Sequence, residues 1–165
     1  MTARAYVRST LIAALVVLAL GGFMLHVRIH PVAKNFSNIV PVIAGILSVI
    51  VVPLLFSFKK TLAYGYVLNG FLAIIGTIVM AHFALAHWPD PATPGAILFG
   101  TTLADILILW TAFFVGKALF DLETFGYAPD RQRAGISYRY PNLGWWLAHL
   151  AAVSLVYTVG NLVWR

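Results

Sequence analysis

Residues 62–86 read LAYGYVLNGFLAIIGTIVMAHFALA, a run without a single Asp, Glu, Lys or Arg. As a helix rising about 1.5 Å per residue it would measure roughly 38 Å, more than the ~30 Å hydrocarbon core of a bilayer. The apolar residues are continuous instead of alternating, which excludes a strand of a transmembrane barrel. Gly65, Asn69, Ala73, Thr77 and Ala81 recur at every fourth position. This ridge of small side chains lets a second helix approach closely.

The same pattern repeats on both sides. Spans of about 9–25, 38–58, 62–86, 95–120 and 143–164 predict an all-α polytopic membrane bundle of five transmembrane helices, a single integral membrane domain over 1–165. Ser37 or Asn38 can cap the second span, and Pro41 is tolerated in its first turn. Pro53, deeper in that span, removes a backbone bond and predicts a kink that frees the Val49 carbonyl.

The composition agrees. Of 165 residues 61% are hydrophobic and 10% charged, against about 45–50% and 25% in soluble domains. Mean hydropathy is +0.90. There is no cysteine, which excludes disulfides, thiolate zinc sites, iron–sulfur clusters, c-type haem attachment and cysteine lipidation. The net charge of +6 is read as a topology signal, with the bilayer and not nucleic acid as the partner.

That signal orients the chain. An N-in, C-out arrangement places Arg4, Arg8, Lys59, Lys60, Lys117, Arg131, Arg133 and Arg139 inside, against Arg28, Lys34 and Arg165 outside. It puts Trp88 and Trp164 at the outer interface, Trp145 and Trp146 at the inner one, and lets Lys117 snorkel inward at the end of its helix. The expected location is the inner (cytoplasmic) membrane, multi-pass. Arg4 and Arg8 before an apolar stretch and Ala19-Leu20-Gly21 also fit a cleavable signal peptide, whose loss would leave four helices.

Asp105 is the residue whose cost asks for a reason. Counted about ten residues into the fourth span it falls near the midplane, where a carboxylate must face the bundle or water. Thr101, Ile108, Ala112 and Gly116 continue its face. Thr77 and Tyr157 lie at a similar depth and are the expected partners. The group is either a protonatable relay or ion site, or a neutral lock between helices.

Four histidines gather at the outer end: His26 and His30 on the first span, His82 and His87 around the end of the third. They can hydrogen-bond at the interface, bind a metal, or hold a b-type haem through His26 and His82. His149 lies deeper from the inner side, at the level of Asn69, and an Asn69–His149 hydrogen bond is expected. Together these groups would form a broken polar column across the bilayer.

The largest polar segment, the inner loop 121–142, carries Tyr127, Arg131, Arg133 and Tyr138 among balanced charges and is expected to dock a partner. No phosphate loop, zinc-protease signature or nucleophile elbow is present. The favoured expectation is a small subunit, without catalysis of its own, that anchors or completes a larger membrane complex, redox or ion-translocating, through other subunits or self-association. The alternatives are a small oligomeric transporter or channel using Asp105, and a b-haem or quinone-reactive subunit.

Overall fold

The computed structural model describes residues 2–29, 39–86, 93–97, 99, 103–127 and 141–163; at 29, 80–86, 94, 97, 157, 161 and 162 it describes the backbone alone. The described residues form helices and turns, with no strand among them. They are α1 (Ala3–Ile29), α2 (Ile39–Ser57), α3 (Leu62–Ala86), the single turn α4 (Pro94–Ile97), α5 (Leu103–Phe125) and α6 (Leu143–Val163). Five of these, all but α4, contain a stretch long and apolar enough to cross a membrane.

The ends have local causes. The Thr2 hydroxyl accepts from the Ala5 amide (3.2 Å) and starts α1, and the Asn142 side chain accepts from Trp145 N–H (2.9 Å) and starts α6. Gly126, at φ 89°, stops α5 in the left-handed conformation that a Cβ disfavours. Its N–H returns to Leu122 O at 2.9 Å. The helix therefore runs beyond the expected boundary at residue 120. Lys117 correspondingly pairs with Asp121 one turn on, instead of serving the helix terminus. α1 is also longer than the 9–25 expected, because its polar residues Arg4 and Arg8 find partners on neighbouring helices.

α2 does not kink in the simple way Pro53 suggested. Its middle, Leu47–Val51, winds as a π-turn, with the Val52 N–H donating to Leu47 O five residues back. The wider turn accommodates the proline ring that follows. At the far end, Arg8 of α1 donates to the carbonyls of Ser57 (2.6 Å) and Phe56 (3.4 Å), and Thr61 donates to Leu55 O (2.8 Å). These bonds satisfy carbonyls that a helix terminus otherwise leaves open.

α5 is the central element and packs chiefly on α1 and α3. Both pairings are antiparallel. Against α1, Arg4 meets Glu123 and Gly22 meets Ile108. Against α3, Asn69 meets Ala112, Gly76 meets Leu109 and Thr77 meets Trp110. The small-residue ridge of α3 works as its spacing suggested: Gly65 seats against Phe56, Ala73 is 2% exposed, and Asn69 and Thr77 both bond to α5.

An aromatic layer fills the lower half of the bundle. Phe56 and Phe113 are wholly buried, and Tyr66 stacks on Phe120 with ring centroids 4.5 Å apart. Trp146, expected in an interfacial belt, belongs to this layer. It is 1% exposed, its indole lies over Gly70 and donates to the Tyr66 hydroxyl at 2.9 Å, and Tyr66 donates in turn to Pro141 O at 2.7 Å. The absence of a side chain at Gly70 makes the room: a Cβ there would overlap the indole. Beyond Trp146, α6 exposes Val153, Leu155, Val156 and Val159.

Candidate functional site

Two polar sites stand out, at opposite ends of the α1–α5 pair. The first is built around Asp105. Asp105 lies in the first turn of the described α5; residues 98 and 100–102, between α4 and α5, lie outside the described residues. The antiparallel register brings the His26 end of α1 alongside, and α2 begins two residues before Pro41 at the same level. The carboxylate therefore lies near one end of the bundle.

The expected face is correct. Asp105 is 5% exposed, and with Ile108 and Ala112 it lines a cavity of about 90 Å³ between α1, α2, α3 and α5. That space is large enough for a few water molecules. His26, 3% exposed, lines it too, with Ser48 and Asn69 further along. Small residues create the room: Gly22 faces Ile108, and Gly45 lies against the Phe23 ring. Among the described residues Asp105 Oδ1 has no hydrogen-bond partner. Thr77, expected to supply one, donates to Ala73 O (2.6 Å) and accepts from the Trp110 indole (3.1 Å). The α3–α5 register sets Thr77 against Trp110, more than a turn from Asp105. Tyr157 lies on α6, its side chain outside the described residues.

The polar lining ends within the bundle. The Asn69 amide donates to Ala112 O at 3.1 Å, closing off that level. Beneath it lie Phe56 and Phe113. The Asn69–His149 bond is not formed. His149 is on the exposed flank of α6, with Nδ1 2.8 Å from Trp145 O and its ring stacked 3.7 Å from the Trp145 ring. Anchoring of α6 through Trp146 turns His149 away from α3, and the column imagined through His82, Asp105 and His149 is broken. His82 lies on α3 with its side chain outside the described residues, as are His30 and His87 altogether.

The second site was missed by sequence reasoning. Glu123, assigned to the inner loop, is in the last turns of α5 with its side chain 2% exposed. Arg4 of α1 reaches it through two nitrogens, at 2.7 Å and 3.4 Å. The Tyr127 hydroxyl donates to Glu123 Oε1 at 2.9 Å and stands 3.4 Å from Arg4 O. Burial first, and then the adjoining Glu123 carboxylate, raise the Tyr127 hydroxyl above its ordinary value of 10.0 and keep it a donor at neutral pH. Tyr127, expected to meet a partner, is thus turned onto its own chain. Arg131, Arg133 and Tyr138 lie outside the described residues. The i,i+4 pairs Lys117–Asp121 and Glu123–Tyr127 were the available sign that the helix continues.

Compared with known protein families, curated proteins and solved structures, the chain matches none. The functional reading therefore rests on the site geometry.

Proposed function

We propose that this chain is a small subunit of a larger membrane assembly that moves ions or electrons, and that its contribution is the enclosed carboxylate Asp105. One observation carries the reading: a carboxylate 5% exposed, facing a cavity and lacking a hydrogen-bond partner at Oδ1 among the described residues. A group of this kind is costly to bury, and its presence is better explained by use than by packing. The absence of a bond to Thr77 removes the main support for a neutral lock.

The subunit part of the proposal draws on α6. It is held at its base by Trp146 and presents a long apolar flank that also carries His149 and Thr158. A neighbouring subunit would cover those polar groups better than lipid does. The proposed setting is the inner membrane, with the N-terminus inside and the C-terminus outside.

Purification in a mild detergent followed by mass spectrometry and a visible spectrum tests the reading. Stoichiometric co-purifying proteins are expected, and Asp105→Asn should leave them bound while suppressing the turnover of the assembly. A chain that purifies alone and supports solute flux alone would replace this reading with that of an independent transporter. A Soret band belonging to the lone chain would turn it to the haem-bearing alternative.

A further inference from the structure

Building on the reading of Asp105 as the working group, we infer that its ligand is a proton, and that the cavity is a blind well filled and emptied only from the His26 end of the bundle.

The ligand class follows from the oxygens on the page. An alkali cation gives up its water only where several oxygens replace it. Among the described residues no other carboxylate lines the cavity. The Ser48 hydroxyl donates to Ala44 O of its own helix (2.9 Å). Asn69 is paired with Ala112, seven positions along α5 from Asp105, or about 10 Å away. Asn69 is too far along the bundle to share an ion with Asp105, and apart from Ser48 and His26 the rest of the described lining is apolar. A proton needs one oxygen. Binding converts the carboxylate to a carboxylic acid, with the proton supplied by water at the cavity mouth and returned there on release.

Sidedness follows from depth. Asp105 is two residues from the start of α5, His26 is three from the end of α1, and Pro41 is two from the start of α2. The antiparallel register thus sets the carboxylate toward the His26 end of the bundle, where α3 continues to Ala86. In the other direction about 27 Å of α5 separate it from Glu123. That path is blocked by Phe56 and Phe113, both 0% exposed, with the Phe56 ring against Gly116. Beyond the block Arg4 pairs with Glu123, Lys117 pairs with Asp121, and Arg8 donates to the Ser57 and Phe56 carbonyls. His26 of α1 is the titratable group that shares the cavity lining with Asp105; α2 and the described side chains of α3 contribute none. A carboxylate so placed exchanges protons with one compartment. It conducts none across the membrane without a rearrangement of the aromatic layer.

The test uses the whole chain in proteoliposomes sorted for orientation by a C-terminal tag. The infrared band of a protonated carboxyl is recorded while the pH is changed on one side at a time. The expected band responds to the C-terminal side alone and is absent in Asp105→Asn. Proton flux through wild-type vesicles should equal that of protein-free ones. A band that follows the opposite side or both sides, or that is absent at every pH, overturns the inference. So does proton flux that Asp105→Asn abolishes. Should Asp105→Asn not be recovered folded, Asp105→Glu must shift the band in frequency with sidedness unchanged; an unshifted band belongs to another group and overturns the assignment. None of these readouts needs a partner protein. A chain found without partners loses the subunit reading and keeps the well, whereas a band of the wrong sidedness removes the well alone.

Discussion

Arg4 and Glu123 form an ion pair, Nη2 to Oε2 2.7 Å, that joins the first turn of α1 to the last turns of α5. The carboxylate is buried and the guanidinium half-exposed, so the two partners are not equivalent. Removing Arg4 strands a buried charge, while removing both charges does not. Arg4→Ala should therefore lower the unfolding temperature in detergent more than Arg4→Ala combined with Glu123→Gln. Equal losses would mean that the pair does not couple the two helices.

Alkali should loosen the same junction. The folded Tyr127 hydroxyl titrates above its ordinary value of 10.0. Its contribution is complete below that value and is lost as the pH rises above it, where phenolate would face carboxylate. Tyr127→Phe should abolish the alkaline step in stability, followed by thermal unfolding between neutral pH and pH near 11.

Gly70 and Trp146 test the attachment of α6. Gly70→Ala drives a methyl into the indole and should cost about 1–3 kcal/mol. Trp146→Ala empties the site and should cost about 3–5 kcal/mol. In both, limited proteolysis should release α6 before the remaining helices.

At Asp105 the structure and a helix lock disagree in sign. A lock would lose about 0.6–2 kcal/mol when its carboxylate is replaced by Leu. With Oδ1 unpartnered, Asp105→Leu should instead leave the unfolding temperature unchanged or raise it, since a poorly satisfied polar group is removed. A marked drop would reveal a bond that supports the fold.

Reporter fusions check the orientation. A fusion after Arg165 should report the outer side and one within 128–140 the inner side. A shared side would break the five-span arrangement.

The five spans were legible because bilayer crossing imposes a length and a composition that any reading of Leu62–Ala86 detects. The α3 ridge was legible for a related reason: close approach requires small side chains at helical spacing. The expected depth of Asp105 was counted from residue 95, and residues 98 and 100–102, on which that count depends, lie outside the described residues. Its face was right, since facing lipid is prohibitive wherever it sits. Trp146 was misread because interfacial and buried tryptophans have the same local sequence. What distinguishes them is Gly70 on a helix over seventy residues earlier. The Arg4–Glu123 pair depends on an antiparallel register that no local pattern encodes.

The manner in which α6 is attached bears on how the molecule is made. Every helix that encloses the Asp105 cavity is synthesised before residue 143 leaves the ribosome. The four earlier long helices can therefore close on one another without waiting for α6. α6 then adds to them by seating one indole ring on a glycine already in place. A nascent chain stalled before α6 would already contain every helix that lines the Asp105 cavity among the described residues.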